Sequence, residues 1–324
     1  MCTAAKYVSG DFYFGRTLDN DCSYNEELVI VPRRRGFTFT QAGECPAHYA
    51  MIGIACVMDG YPLFYDAFNE KGLAMAGLNF VGNAVFGEPQ SQKTNIAVYE
   101  FIPWLLCSCA TVAEARKALK TVNLTATRFR SDVPIAELHW IIADKADCIT
   151  VESTATGLNV YDNTPGVLAN NPTFPEHLNH LTNYMHLSPR PPRNEFSDKI
   201  SLKCYSRGMG AMGLPGDLSS ESRFVRAAFT ALNSPCCTDN VACVNQFFHI
   251  LGSVSQPRGS CMLDNGKYET TIYTSCANVS RGVYYYTGYD NHRISAVDMH
   301  KANLDGSTLM RFPLVKTEQI YFQN

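Results

Sequence analysis

Cys2 is the residue whose position points most directly to chemistry, because it follows Met1. Removal of Met1 before a small residue leaves a thiol and a free α-amino group on one residue. An α-amino group has a reference pKa of about 8 and a thiol one of about 8.5, so the amine can take the thiol's proton at neutral pH. The position predicts a nucleophile that needs no histidine partner, although many proteins have a small second residue without any catalytic role.

Arg16 and Asp19 place a cation and a carboxylate three residues apart, beyond a short strand-like run. Both are close enough to Cys2 in sequence for the chain to fold back as a hairpin. Asp19 would then hold the terminal ammonium, and Arg16 would favour the thiolate over the thiol. An ordinary surface ion pair explains these two residues equally well when they are taken alone.

Two asparagines stand where apolar strands end. Asn79 closes the run Gly77-Leu78-Asn79-Phe80, and Asn170 lies in an Asn-Pro turn after Leu168. A side-chain amide can donate to a developing oxyanion, and one such donor contributes about 3 kcal/mol. Asparagine is also a common turn former, so each residue alone is ambiguous.

Arg223 lies in or near the first turn of a predicted helix, after the turn Leu214-Pro215-Gly216-Asp217. A cation at that end of a helix opposes the helix dipole. This makes an inward electrostatic role for Arg223 more favourable than a purely structural one.

The elements that must position these residues are mixed helices and antiparallel strands. Apolar spacing of three and four predicts helices over 95–107, 111–122, 220–232 and 240–254, with caps at Thr111 and at Asp239 or Asn240. Strand patterns occur at 51–58, 73–78, 138–143, 148–152, 157–161, 270–276, 282–289 and 293–299. Short turns predict the hairpins 138–152 and 282–299, and helices grouped in blocks favour antiparallel sheets covered by helices.

Composition narrows the class of protein. The 324 residues are 46% hydrophobic, which is enough for one large core, and no Pro/Gly/Ser-rich linker divides them, so we expect a single domain over 1–324. A net charge of −3 gives no reason to expect nucleic acid, and no apolar run reaches bilayer length. We expect no leader peptide. The thirteen irregularly spaced cysteines then predict reduced thiols in the cytoplasm.

The set of motifs, more than any single one, resembles the choloylglycine hydrolase family, which holds bile salt hydrolases and penicillin V acylases. The matching motifs run in the family's order from residue 1 to about residue 299: Met1-Cys2-Thr3, Gly15-Arg16 with Asp19, Asn69-Glu70-Lys71-Gly72-Leu73, Gly77-Leu78-Asn79-Phe80, Asn170-Asn171-Pro172, Leu214-Pro215-Gly216-Asp217 and Ser222-Arg223-Phe224. The resemblance implies the N-terminal nucleophile hydrolase fold, an α+β, four-layer αββα sandwich of two antiparallel sheets between helical layers. It also implies hydrolysis of an amide without a metal or organic cofactor.

The resemblance further implies a role for each site residue. Cys2 would be nucleophile and base, Asp19 would orient its amine, and Arg16 and Arg223 would supply positive charge. Asn79 and Asn170 would complete the site, with Asn79 as the oxyanion donor. Asn79 stands where penicillin V acylases of the family often carry Tyr, which favours conjugated bile salts as the small-molecule substrate. We expect substrate contacts at Leu18, Tyr24, Phe64, Ala67, Asn79, Phe80 and Arg207.

Two further expectations concern the segment 184–208. The family is often tetrameric, and the Pro-rich stretch 188–193, near Tyr184 and Met185, is suited to a subunit contact. An exposed Pro-rich loop without a partner is as consistent with composition alone. Arg207, in Tyr205-Ser206-Arg207-Gly208, could pair with a taurine sulfonate.

Other functions fit the sequence less well. Glu176-His177-Leu178-Asn179-His180 lacks the His-Glu-x-x-His order of a zinc site, and Cys107-Ser108-Cys109 and Cys236-Cys237 lack a second ligand pair. The local motif of papain-like thiol proteases is absent. A penicillin V acylase or N-acyl homoserine lactone acylase stays open, as does a noncatalytic protein that binds an apolar ligand, although binding alone would not need a free N-terminal thiol.

Overall fold

The computed structural model describes residues 1–236 and 239–324, so Cys237 of the Cys236-Cys237 pair lies outside the described residues. The strands are β1 (Cys2–Ser9), β2 (Asp11–Asn20), β3 (Glu27–Val31), β4 (Phe37–Phe39), β5 (Gly43–Cys45), β6 (Met51–Met58), β7 (Tyr61–Asn69), β8 (Ala74–Asn79), β9 (Thr94–Ala97), β10 (Val122–Thr125), β11 (Leu138–Ala143), β12 (Cys148–Thr154), β13 (Gly157–Asp162), β14 (Val167–Leu168), β15 (Thr270–Asn278), β16 (Val283–Gly288), β17 (Asn291–Asp298) and β18 (Met310–Pro313). The helices are α1 (Phe101–Ser108), α2 (Val112–Leu119), α3 (Phe174–Leu181), α4 (Ser220–Asn233) and α5 (Asn240–Gly252). None of the described helices is long and apolar enough to cross a membrane.

Two large antiparallel sheets form the centre of the molecule. The first has the order β14-β1-β2-β15-β16-β17, and the second has the order β13-β12-β11-β8-β7-β6-β3-β18. A first core fills the space between the sheets and extends to α4 and α5, and a second core lies between the other face of the eight-stranded sheet and α1 and α2. The layers are therefore helix, sheet, sheet and helix, which confirms the predicted αββα sandwich.

Strand periodicity divides the side chains of the eight-stranded sheet between the two cores. In β3, Leu28 and Ile30 belong to the first core, whereas Val29 and Val31 belong to the second. Successive side chains of a strand point to opposite faces, so an apolar run without alternation is expected where both faces are covered. The continuous apolar character of these strands follows from their place in the middle of the sandwich.

The hairpin of β1 and β2 carries the N-terminal residues into the first sheet. It turns at Gly10, whose φ of 69° suits glycine. β2 also pairs with β15 on its other side, and the two backbones approach closely at Gly15, where a Cβ atom would lie 2.1 Å from the carbonyl oxygen of Ser275. Only a residue without a side chain allows this spacing. The predicted hairpin near Cys2 is confirmed.

Several boundaries match the sequence prediction and two do not. The helix predicted over 111–122 ends at Leu119, and Val122 begins β10. The predicted hairpins of β11 with β12 and of β16 with β17 are present, and the side chains of Thr111 and Asp239 cap α2 and α5. The prediction of a helix starting at Asn95 is wrong. Residues 94–97 form β9, which pairs in parallel with β10, and the helix begins only at Phe101. The apolar run of this segment has helical spacing, but Ile96 and Ala97 are buried through strand pairing with Leu124 and Thr125.

Candidate active site

Cys2 begins β1 and is buried where the first sheet faces the second. The register of the hairpin sets Cys2 opposite Leu18 and Ala4 opposite Arg16. The guanidinium of Arg16 reaches back along the sheet, and its Nη2 donates to the sulfur of Cys2. The expected contact between cation and thiol is therefore present, and it is internal to the protein.

Arg16 is 1% exposed and donates to the second sheet as well. Its Nη1 donates to the carbonyl oxygens of Tyr65, at 3.0 Å, and of Gly77. Burial disfavours the charged guanidinium, but the negative groups around it, first Cys2, outweigh burial and raise the pKa of Arg16. Arg16 is thus a fixed positive charge that joins the two sheets beside the thiol.

A buried carboxyl that sequence analysis did not identify lies behind Arg16. Asp66 accepts hydrogen bonds from the hydroxyl of Tyr273, at 2.7 Å, and from the hydroxyl of Tyr284. Burial raises the pKa of Asp66, while the charge of Arg16 opposes that shift. The signal available in the sequence was an aspartate within an otherwise apolar strand.

Asn170 connects the chain start to the rest of the site. Its Oδ1 accepts from the backbone nitrogen of Cys2 at 2.8 Å and from Nη2 of Arg223 at 2.7 Å. Its Nδ2 donates to the carbonyl oxygen of Asn79 at 2.7 Å. Both ends of the amide are thereby used. If Met1 is removed, the nitrogen next to Oδ1 is the free amine of Cys2.

Arg223 lies in the first turn of α4, as predicted, and its side chain is fully buried. Its Nη1 donates to the carbonyl oxygen of Cys2 and to the hydroxyl of Thr3, and its Nε donates to the carbonyl oxygen of Leu218 at 3.0 Å. Burial lowers the pKa of Arg223, against the opposing effect of Asp19. The cation therefore turns inward and holds the first peptide of β1.

Asp19 is buried near this cluster, with its Oδ2 4.0 Å from Nη1 of Arg223. Thr271 donates to Oδ1 at 2.7 Å, and Thr17 donates to Oδ2 at 3.1 Å. The Met1 amine donates to the backbone carbonyl oxygen of Asp19, not to its carboxylate, and pairs with Glu269. The role of Asp19 in orienting the Cys2 amine stays a prediction. Thr271 and Glu269 were not identified from the sequence.

A cleft of about 550 Å³ opens above the thiol. Of the predicted substrate-contact residues, Leu18, Tyr24, Phe64 and Asn79 line it, together with Cys2 and Arg16. The segment 127–136 contributes further lining residues.

The structure places three predicted contact residues away from the cleft lining. Ala67 is buried in the second core, which includes residues of α1. Phe64 belongs to the same core but also lines the cleft. Phe80 is fully buried and stacks on the ring of His139, with centroids 4.2 Å apart. Arg207 lies in the exposed segment before Met209–Ala211. Phe80 directly follows the lining residue Asn79, and Ala67 lies two residues after Tyr65, but packing covers both side chains.

In the described part of the chain, no group of three or more His, Cys, Asp or Glu side chains could hold a metal ion. His177 and His180 both lie on α3, and His177 points into the protein, where its Nε2 faces the carbonyl oxygen of Asn170 at 2.9 Å. The site offers a thiol, two guanidinium groups, a carboxylate and two amides.

Comparison with known proteins agrees with this arrangement. The sequence model of the family described as linear amide C–N hydrolases, choloylglycine hydrolase family, matches residues 2–312. The chain is 49% identical over 324 residues to a bile salt hydrolase/transferase of Lactiplantibacillus plantarum, and 38% identical over 332 residues to one of Clostridium perfringens, with both proteins covered fully in each case. The structure matches that of the C2A mutant of the conjugated bile acid hydrolase from Clostridium perfringens with a TM-score of 0.92 and 37% identity, again over the whole of both chains. The chain belongs to the choloylglycine hydrolase family of linear amide C–N hydrolases.

Proposed function

We propose that this protein hydrolyses the amide bond of glycine- and taurine-conjugated bile salts and releases free bile acid and amino acid. The observation that carries the proposal is the position of Cys2, in contact with Arg16 at the base of a cleft of about 550 Å³. Ligand pockets for small molecules are typically about 300–1,000 Å³ with mainly apolar walls. The relatives named as bile salt hydrolases support this choice of substrate.

The chemistry follows from groups that the site already holds. After loss of Met1, the Cys2 amine takes the thiol's proton and the thiolate attacks the amide carbonyl carbon. Asn79, at the cleft, donates to the oxyanion that forms, and Arg16 adds positive charge beside the sulfur. The C–N bond breaks as the amine of Cys2 returns its proton to the leaving amino acid, and water then hydrolyses the thioester. Asn170 holds the Cys2 nitrogen throughout.

We also propose that Arg207 favours taurine conjugates by pairing with their sulfonate. Support comes from its guanidinium charge in an exposed segment and from the chemistry of sulfonate recognition. Because Arg207 does not line the cleft in this structure, contact with substrate requires that the segment moves or that a neighbouring subunit supplies it. Arg207→Ala should lower the taurine-to-glycine ratio of kcat/KM, and an unchanged ratio would contradict this assignment.

We further propose that the protein forms a homo-oligomer, specifically a tetramer. The segment 184–212 exposes three large apolar side chains that a subunit contact would cover: Met185 at 83%, Phe196 at 82% and Tyr205 at 81%. Light scattering coupled to size-exclusion chromatography measures the molar mass directly. A monomer at micromolar concentration would contradict the proposal.

A cytoplasmic location completes the proposal. The twelve cysteines in the described part of the chain are all free, as expected in a reducing compartment. Fractionation of producing cells, with detection of the protein in each fraction, tests this location.

The central experiment measures amino-acid release from taurocholate and glycocholate, with penicillin V beside them and the intact mass of the N-terminus checked on the same sample. We expect release from bile salts by protein that lacks Met1. Cys2→Ser should abolish it, while Cys204→Ser, at an exposed thiol, should not. Cleavage of penicillin V alone would show that the protein acts as a penicillin V acylase and not as a bile salt hydrolase. No cleavage of either substrate despite a free Cys2 would favour the binding-protein alternative.

A further inference from the structure

Two buried histidines donate to successive carbonyl groups next to the nucleophile. Nε2 of His139 lies 2.9 Å from the carbonyl oxygen of Ala169, and Nε2 of His177 lies 2.9 Å from that of Asn170. A carbonyl oxygen only accepts, so each Nε2 carries a proton and donates it. Both rings are fully buried.

The other ring nitrogen of His139 contacts a buried carboxyl group. Nδ1 lies 3.0 Å from Oε1 of Glu152, which also accepts from the backbone nitrogen of Phe174 at 2.9 Å. The other carboxyl oxygen of Glu152 has no hydrogen-bond partner among the described residues. Glu152 therefore links the ring of His139 to the first turn of α3.

These contacts enclose the segment that brings Asn170 to Cys2. Glu152 holds the first turn of α3 through Phe174, and α3 carries His177 back over Asn170. Stacking fixes both rings: His139 against Phe80, and His177 against Phe224 with centroids 4.5 Å apart. The ring of Phe80 does not line the cleft, but it holds His139 in place and so supports the site.

We propose that His139, Glu152 and His177 are positioning residues that hold the Ala169 and Asn170 carbonyls, so that Oδ1 of Asn170 stays on the Cys2 nitrogen. They act through Asn170 and do not touch the substrate. The nitrogen that Asn170 holds is the one that exchanges the proton in each step. A displacement of about 1 Å at such a group costs on the order of a hundredfold in rate. The inference rests on the proposed function only in taking Cys2 as the nucleophile.

The test compares His177→Leu, which removes the donor, with His177→Gln, which places a side-chain N–H at a similar reach. For taurocholate we expect His177→Leu to lower kcat at least tenfold with KM changed by less than about twofold, and His177→Gln to restore kcat to within about threefold of the parent. A purely structural role would reduce the amount of folded enzyme but leave kcat per folded site unchanged. If His177→Leu does not fold, His177→Asn replaces it, because its amide is too short to reach the carbonyl of Asn170.

A second readout separates this inference from the choice of substrate. Iodoacetamide alkylation of Cys2, followed by mass spectrometry of the tryptic peptide that ends at Lys6, reports the reactivity of the thiol without any bile salt. We expect slower alkylation in the loss variant and the parent rate in His177→Gln. Equal alkylation and equal kcat in the two variants would overturn the inference. If bile salts are not turned over but alkylation separates the variants, the substrate is wrong and the positioning role stands.

Discussion

The backbone nitrogen of Cys2 and the side-chain oxygen of Asn170 lie 2.8 Å apart, although 168 residues separate them in the chain. The same oxygen accepts from Arg223, so one amide side chain sets the position of the nucleophilic residue and of a buried cation. The strand pairing of β1 with β14, which sets Ala4 opposite Leu168, brings the two segments to this distance.

Asn170→Ala should lower kcat for taurocholate by about a hundredfold. The Cys2 amine loses its hydrogen-bond acceptor and is no longer fixed in the orientation that proton exchange requires. The neighbouring Asn171 is a matched control, since its side chain donates to the carbonyl oxygen of Val81 away from Cys2. Asn171→Ala should keep kcat within about threefold of the parent. Steady-state kinetics on both variants, normalised to folded protein, measures the two values of kcat. Equal losses would show that the loop, and not the amide of Asn170, carries the effect.

Gly15→Ala should destabilise the protein by about 3 kcal/mol, since the added Cβ would meet a backbone carbonyl that has no freedom to move aside. The obstructing atom is the oxygen of Ser275, 2.1 Å away. At Gly216, nothing lies within 4 Å of an added Cβ, so Gly216→Ala should change stability by less than about 0.5 kcal/mol. Urea unfolding of the two variants measures the difference. A Gly15→Ala protein as stable as the parent would refute the close approach of β2 and β15.

Tyr284→Phe should cost about 2 kcal/mol, because a buried carboxyl group loses one of its hydrogen-bond donors. Tyr284 is buried and donates to Asp66, which lies behind Arg16. Tyr205, exposed in the segment before Met209–Ala211, is the comparison, and Tyr205→Phe should be neutral within about 0.5 kcal/mol. Thermal and urea unfolding provide the measurement, and a neutral Tyr284→Phe would show that Asp66 does not depend on that hydroxyl.

Acid should destabilise the fold through His177, whose pKa burial lowers from its ordinary value of 6.5 to about 4, with His139, Arg223 and His180 adding repulsion. The unfolded chain takes up a proton at this residue below about pH 6.5, but the folded protein does so only near pH 4. The contribution is therefore fully present above pH 6.5 and is lost as the pH falls towards 4, by about 2 kcal/mol at pH 5.

His177→Gln removes the titrating group and should remove this part of the pH dependence. The free energy of unfolding in urea at pH 7.5 and at pH 5 measures it in the parent and in the variant. The same slope in both would show that His177 does not contribute.

The structure brings predicted site residues together, but the residues that support them were not predicted from the sequence. Cys2, Arg16, Asn170 and Arg223 come together as their motifs implied. The residues behind them gave no usable signal, because contacts such as that between Asp66 and Tyr284 join positions 218 residues apart. Side chains that meet only across packed sheets leave no local pattern.

The sequence pattern also predicted some strands and missed others. β1 and β2 are buried along almost their whole length, so the alternation that marks a half-exposed strand is missing there. The segment 94–97 had apolar spacing that suits a helix, and only pairing with a strand at 122–125 decides the structure. Phe80 was predicted to contact the substrate, whereas its ring is turned into the protein against His139.

The pairing of β2 with β15 has a consequence for biosynthesis. Residues 11–20 emerge early from the ribosome, but their partner at 270–278 is made only after most of the chain has been translated. At about 5–20 residues per second, the interval is on the order of tens of seconds. During this time the nascent N-terminus has no enclosed site around it, so the initiating methionine is accessible to processing enzymes before Arg16, Asn170 and Arg223 close over the thiol. Chains truncated before residue 270 lack β15, β16 and β17, so they should have no hydrolase activity.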